Sequence, residues 1–372
     1  MKFIGFFLLM LVIILSANFY VFYRFWHIVP AGSIVRPFLM VFAVIAICSF
    51  FLGLLGGDFL PMAVVSFAYK IGTSWFFICL YFLMIFLLMD LLRFTHLVQL
   101  DKFLFGNWAT LGVLTGIVAA IMTYGYYNYK HKERVELSVT VDKNTSMKEP
   151  LKIVAVSDLH LGFSIGKREF EQWIELINKE NPDIVLLAGD IIDNSIKPLI
   201  EQDIVSSFKK IKSKYGIYVA FGNHEYIGPP SKILKALDFF HRSGVTVLRD
   251  SVTLVNDEFY IVGRDDRMNP NRKTIEKLID SLDHSKPIIL LDHQPFHLEE
   301  TEKSNIDLQI SGHTHRGQIW PVSWITDRIY EKSHGYLKKG NSHIYVSSGI
   351  GIWGGKFRIG TQSEYVVIYL SD

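Results

Sequence analysis

Seven side chains with donors suited to divalent-metal chemistry stand just after five short apolar runs. Ile153 to Val156 is followed by Asp158-Leu159-His160, Ile184 to Leu187 by Gly189-Asp190, and Ile217 to Phe221 by Gly222-Asn223-His224-Glu225. Ile288 to Leu291 is followed by Asp292-His293, and Leu308 to Ile310 by Ser311-Gly312-His313-Thr314-His315. Each run has the length and β-branched content of a buried strand. In an open α/β sheet the carboxyl ends of neighbouring strands face one crevice, where ligands bind. The pattern therefore predicts that Asp158, His160, Asp190, Asn223, His293, His313 and His315 meet in one place. Mixed nitrogen and oxygen donors without a thiolate suit a pair of divalent ions such as Mn, Fe or Zn. Asp190 has the carboxylate needed to bridge two ions about 3.5–4 Å apart. A lone His-x-His or Gly-Asp is as readily a helix cap or a satisfied core residue. Five such segments at successive strand ends are not explained that way.

Two divalent ions would make hydroxide available near neutral pH and clamp phosphate oxygens for in-line attack. His224, beside Asn223, is the candidate proton donor to the leaving group, because imidazole donates near pH 7. A structural strut is its alternative. Arg316 either grips a substrate phosphate through its fork of donors or is solvated or paired. Glu225 and Asp193 either support ligands or are solvated loop carboxylates. Asp292 is a candidate to orient a ligand's second ring nitrogen, although adjacent strand residues point to opposite faces. Arg264 and Arg267 are weaker phosphate candidates, with pairing to Asp265 and Asp266 the expected alternative. Trp320-Pro321-Val322-Ser323-Trp324-Ile325 reads either as domain core or as an apolar lip able to meet a headgroup layer. His241, His284, His297, His334 and His343 are expected at ordinary surface or core positions.

The order Asp-x-His, Gly-Asp, Gly-Asn-His-Glu, His, Gly-His-x-His resembles the calcineurin-like metallophosphoesterases, from about Leu151 to the C-terminus. Gly312-His313-Thr314-His315 with Gly317-Gln318, Gly349-Ile350-Gly351 and the run Tyr365 to Leu370 are similar to the membrane-associated YkuE- and YaeI-type branch. Arg316 departs from that pattern, which has a small residue there. The resemblance implies that one ion takes Asp158, His160, Asp190 and His315, and the other Asp190, Asn223, His293 and His313. It also implies a two-sheet sandwich flanked by helices, and a substrate class that includes UDP-2,3-diacylglucosamine of lipid A synthesis.

The 372 residues divide sharply in composition. Residues 1–130 hold four uncharged apolar stretches, about 3–23, 37–57, 71–89 and 106–129, each near the roughly 20 residues a membrane helix needs. The first is too long for a signal-peptide core and has no small-residue exit, so it reads as a retained anchor. With no Asp, Glu, Lys or Arg inside the stretches, a transport pathway is not expected. Tyrosines and tryptophan cluster at the stretch ends, as in an interfacial belt. Lys2, Lys70, Lys130, Lys132 and Arg134 would share one side, against Arg24, Arg36, Arg93 and Lys102 on the other. Five against four is a slim margin, and the Lys130-His131-Lys132-Glu133-Arg134 cluster directly after the fourth stretch tips it toward a cytoplasmic catalytic half on an inner, cytoplasmic membrane.

Formal net charge is only +2 and no basic face is concentrated in the sequence, so nucleic acid is not an expected partner. Cys48 and Cys79 both lie in apolar stretches, which excludes a disulfide framework and a thiolate zinc site. Residues 131–150 read as a linker that includes a period-two strand at Val135 to Val141 and a hinge at Asn144 to Pro150. Residues 151–372 read as an α/β domain, with helices at Lys167 to Glu180, Lys197 to Lys212, Ser231 to Ser243 and Asn271 to Asp283.

The expected activity is hydrolysis of a phosphodiester or pyrophosphate by a membrane-anchored dinuclear-metal enzyme, with membrane lipids around it and a lipid-linked phosphate ester as substrate. A phosphomonoesterase or protein phosphatase acting on soluble substrates is the second reading. A membrane sensor or scaffold with a structural metal is the third.

Overall fold

The computed structural model describes residues 2–57, 59–96, 98–143 and 149–372. The hinge expected at Asn144 to Pro150 falls largely outside them. The chain forms two compact units, Met1–Tyr124 and Gly125–Asp372.

The first unit supplies four helices long and apolar enough to cross a membrane: Leu8–Ile28, Val35–Leu55, Met62–Phe94 and, running on into the second unit, Trp108–Lys130. The second and third cross at glycines. A Cβ on Gly72 would lie 2.3 Å from the Phe50 backbone, and one on Gly53 would lie 2.5 Å from Tyr69 Cα. Only glycine permits backbones that close, as is common between membrane helices. The first and third helices run past the stretches expected from composition. The third, at 33 residues, is about 50 Å long, so its ends exceed a hydrocarbon core of about 30 Å. That extension brings in charges which the apolar stretches exclude. Arg24 pairs with Asp90, and the Tyr20 hydroxyl donates to Asp90 Oδ2 at 2.5 Å. Mutual neutralisation is what makes such groups tolerable beside apolar surroundings. The apolar stretches themselves hold no Asp, Glu, Lys or Arg; these charges lie on the helical extensions beyond them.

The second unit is an α/β sandwich of two six-stranded sheets. The strands are β1 Lys132–Thr140, β2 Leu151–Val156, β3 Ile184–Ala188, β4 Ile217–Ala220, β5 Thr246–Leu248 and β6 Ser251–Val255. They continue with β7 Phe259–Gly263, β8 Ile288–Leu291, β9 Leu308–Ser311, β10 Gly335–Lys339, β11 Ser342–Val346 and β12 Ser363–Ser371. One sheet runs β1-β12-β2-β3-β4-β5 and the other β10-β11-β9-β8-β7-β6. Parallel pairing links β2 to β5 in the first and β7, β8, β9 and β11 in the second.

Alternation along the strands builds the layers. Ile153, Ala155, Ile184 and Leu186 join Ile289, Leu291, Leu308 and Ile310 in the core between the sheets. Their neighbours Val154, Val156, Val185 and Leu187 face outward against Phe170, Trp173, Phe208, Phe239 and Phe240. On the far side, Leu290 and Ile288 pack on Ile275, Leu278 and Ile279. Strands buried on both faces must read as continuous apolar runs, which is why these were recognisable.

The period-two stretch becomes β1, paired in parallel with β12 along its length. The helix expected at Lys197 to Lys212 is two short ones, Lys197–Glu201 and Ile204–Phe208. Asp203 breaks it by taking a left-handed conformation, φ 49°, which only glycine and a few polar residues adopt readily. Asn271 to Asp283 contracts to Ile275–Ile279, capped by the Thr274 side chain. The stretch from Trp320 does not enter the core: Trp320 and Trp324 are exposed, and Val322–Ile329 forms a helix.

Candidate metal centre

Five parallel strands from two sheets, β2, β3, β4, β8 and β9, end at one crevice and carry the candidate donors into it. Three donor groups assemble there: Asp158, His160 and His315; His160, Asp190 and His224; and Asp190, His293 and His313. Within each, one ligand atom per residue lies within 4.8 Å of the others. Asp190 and His160 are each shared between two groups. His160 Nε2 lies 3.0 Å from His315 Nε2, and His315 Nε2 lies 3.4 Å from Asp158 Oδ1. On the other side His293 Nε2 lies 3.1 Å from Asp190 Oδ2.

The backbone is bent to make this possible. Asp158, His160, Asp190, His313 and His315 all have positive φ, between 47° and 70°. Positive φ is uncommon away from glycine, and clustered strain of this kind marks functional loops. Glycines admit the close approach. A Cβ on Gly222 would sit 2.2 Å from Asp190 Oδ1, one on Gly189 2.4 Å from His293 Nδ1, and one on Gly312 2.3 Å from Asp158 Oδ2.

Hydrogen bonds fix which ring nitrogens converge. His293 Nδ1 is 2.7 Å from the Ala188 carbonyl, which can only accept. Nδ1 therefore carries the proton and Nε2 offers its lone pair to the crevice. That buried Nε2 and the buried Asn223 Oδ1 make no hydrogen bond. A lone-pair nitrogen held 3.1 Å from a carboxylate oxygen needs positive charge between them, a proton or a cation. The donor set thus fits divalent metal ions by chemistry as well as by type.

Electrostatics agree. Burial lowers the His293 pKa, but Asp190 and Asp158 outweigh it and hold it well above the ordinary value. Burial pushes the His313 imidazole down to about 3, with the His293 charge adding to the effect. Burial, His160 and Arg358 hold His315 well below the ordinary range. Both are therefore neutral imidazoles at pH 7, as metal ligands must be.

A profile of the calcineurin-like phosphoesterases matches residues 151–317. A metallophosphoesterase of Helicobacter pylori strain J99 is 32% identical over 264 residues, covering 68% of this chain and 69% of its own. YkuE, a metallophosphoesterase of Bacillus subtilis, is 30% identical over 285 residues, covering 73% of this chain and 97% of its own. The chain belongs to the calcineurin-like phosphoesterase family. A transmembrane protein with metallophosphoesterase domain from Danio rerio is 28% identical over 272 residues, covering 69% of this chain and 61% of its own. That relative is described as a transmembrane protein, and this phosphoesterase carries four helices long and apolar enough to cross a membrane.

Six of the seven candidate ligands join these donor groups, the Asn223 side-chain oxygen is buried without a hydrogen-bond partner, and His224 has its ring centroid 4.5 Å from that of His160. Asp193 is fully buried against both, 3.2 Å from His224 Nδ1 and 3.5 Å from His160 Nδ1. Glu225 is equally buried, so it is no solvated carboxylate. It accepts backbone N–H bonds from Gly222 at 2.7 Å, Asp190 at 3.1 Å, Ile191 at 2.8 Å and Ile192 at 2.9 Å. Arg316 is exposed and lines an open cleft with Asp327, Tyr330, Lys332 and His334.

Three expectations are corrected. Asp292 orients no ligand: it pairs with Arg264 and Arg272, pointing away from the crevice as strand alternation requires. Arg264 also pairs with Glu300 at 2.8 Å rather than with its sequence neighbours. Arg267 lies over the Phe296 ring, 4.5 Å from its centroid.

Sequence reasoning missed Arg358 and Lys232. Arg358 is fully buried and donates to the carbonyls of His315 at 2.7 Å, Ser348 at 2.5 Å and Gly351 at 2.8 Å, holding the last ligand loop in place. Lys232 donates to the carbonyls of Asp193, His224 and Ile227. Neither carries a local signal, since their partners are mainly backbone carbonyls, which every residue type supplies.

Proposed function

We propose that the protein is a membrane-anchored dinuclear-metal phosphoesterase that hydrolyses a phosphodiester or pyrophosphate bond in a lipid-linked substrate. The convergence of three donor groups that share Asp190 and His160 carries the reading. Asp158, His160, Asp190 and His315 would hold one ion, and Asp190, Asn223, His293 and His313 the other. When bound, a pair of divalent cations supplies a nucleophilic water near neutral pH and offsets charge on the phosphate.

The chain's own residues do the rest. His224 is the proton donor to the leaving oxygen. Its Nδ1 faces Asp193, so Nε2 would be the nitrogen that donates to substrate. Burial lowers the His224 pKa, yet Asp190 and Asp193 outweigh it and raise it above the ordinary value. A raised pKa favours the protonated ring, the form a general acid needs. Arg316, at the rim, would hold an anionic part of the substrate.

Full-length protein in detergent, loaded separately with Mn, Fe or Zn, should hydrolyse an aryl phosphodiester. Asp190→Ala should abolish the rate, and His224→Ala should lower kcat by about 10²–10⁴-fold. Unchanged rates would reject the site. Micelles carrying UDP-2,3-diacylglucosamine or another lipid diphosphate, compared with soluble nucleotides by kcat/KM, test the lipid part. A preference for soluble monoesters would favour the second reading. We also infer a cytoplasmic catalytic domain. Protease cleavage of that domain in intact cells would reverse this.

A further inference from the structure

The helix Val322–Ile329 is amphipathic in the unusual sense, with its apolar face turned to solvent. At 100° per residue, Trp324, Arg328, Ile325 and Ile329 fall within one arc of about 140°. Trp324 is 65% exposed, Ile325 57% and Ile329 59%, while Ser323 on the opposite side is buried. Trp320, 38% exposed, stacks edge-on against Trp324 with ring centroids 5.4 Å apart. Single exposed apolar side chains are normal, whereas a contiguous cluster signals something that covers it. Four within ten residues form such a cluster. The other large exposed aliphatics of this unit, such as Ile200, Leu234 and Leu254, lie far apart in sequence.

What covers the cluster follows from where it is attached. Ile319 bridges Ile359, and the Trp320 amide donates to the Ile359 carbonyl at 2.7 Å. The adjoining Arg358 amide donates to the Gly125 carbonyl at 2.8 Å. Asn128 Nδ2 donates to the Arg358 carbonyl at 3.2 Å. A Cβ on Gly125 would lie 2.6 Å from Ile359 Cγ1. Gly125 to Lys130 is the last stretch of the Trp108–Lys130 helix, an apolar span, and Tyr126 and Tyr127 on it are exposed. The lip is therefore stitched through one residue pair to the segment where the chain leaves the apolar span. Tryptophans favour the membrane–water interface, and an arginine among them suits anionic headgroups.

We propose that Trp320, Trp324, Ile325 and Ile329 dock into the headgroup layer of the bilayer that holds the preceding helices. The docked lip sets the domain's height above the lipid. It also places the crevice mouth at the surface, because Tyr330, next after this helix, has its ring centroid 6.2 Å from that of His313. The docking does not depend on which bond the centre cleaves.

The test uses the full chain with Cys48 and Cys79 replaced by serine, in nanodiscs of phosphatidylcholine with a minority of phosphatidylglycerol. An environment-sensitive fluorophore on Ile325→Cys should emit to the blue and be quenched several-fold more by a shallow-chain nitroxide lipid than one on Leu234→Cys. Trp324→Cys gives a second site if the first variant fails to fold. Water-like emission without quenching at both lip sites overturns the proposal. So does equal quenching at Leu234, or a blue shift that follows protein loading rather than nitroxide lipid, which would assign the face to a second copy of the chain.

Discussion

Asp193 lies 3.2 Å from His224 Nδ1 and 3.5 Å from His160 Nδ1, so one buried carboxylate sets two imidazoles with different duties. Outer partners of this kind typically affect metal affinity or activity by about 10–100-fold, and Asp193→Asn should do so here. The pH profile separates a functional from a merely structural effect. In the proposed mechanism His224 must be protonated to act, so activity should fall as pH rises through its pKa. Removing the Asp193 charge removes one of the influences raising that pKa. The alkaline fall in kcat should therefore move to lower pH in Asp193→Asn, and an unmoved limb would deny His224 the donor role. Arg316→Ala should raise KM with kcat nearly unchanged if the residue only binds substrate. Steady-state kinetics on the aryl phosphodiester checks this.

At the scale of elements, the strand ends were legible because buried parallel strands must be apolar throughout and their ligand loops carry unusual residue types. Ile184 to Ala188 followed by Gly189-Asp190 shows both at once. Less visible was why glycine precedes Asp190, Asn223 and His313. The reason is contact across the crevice between segments far apart in sequence. Gly222→Ala would drive a methyl into Asp190 and His293. It should cost about 1–3 kcal/mol in stability and lower metal content measured by elemental analysis, whereas Gly244→Ala, facing open space, should retain the metal. Helix limits were the least legible. Asp203 and Thr274 end or start helices by side-chain and dihedral choices that an apolar period does not register. Arg358 was invisible because its acceptors, the His315, Ser348 and Gly351 carbonyls and the Ser363 hydroxyl among them, are brought to it by tertiary folding.

Across the whole molecule, the compositional divide at residue 130 separates apolar helices from an α/β sandwich, while the compact second unit begins slightly earlier, at Gly125. That last helical stretch is secured by ion pairs. Tyr129 and Lys130 both donate to Glu169 Oε1, and Lys356 donates to its other oxygen. Burial raises the Glu169 carboxyl, but Lys356 and Tyr129 outweigh it and hold its pKa below the ordinary 4.5. A depressed carboxylate contributes stability that is present above the unfolded pKa and is lost as pH falls through the folded one. Thermal melts in detergent should show that loss below about pH 4.5. Glu169→Gln should be less stable at neutral pH by about 1.5–3 kcal/mol and should show a flatter acid dependence.

The central claim is that side chains from five strand ends hold two metal ions through a shared carboxylate. Metal analysis of purified full-length protein after loading and desalting tests it most directly. Two divalent ions per chain are predicted, falling below two in Asp190→Ala together with hydrolysis of the aryl phosphodiester. Protein that retains no divalent ion under any loading condition, or an Asp190→Ala variant that keeps both ions and full activity, would contradict it.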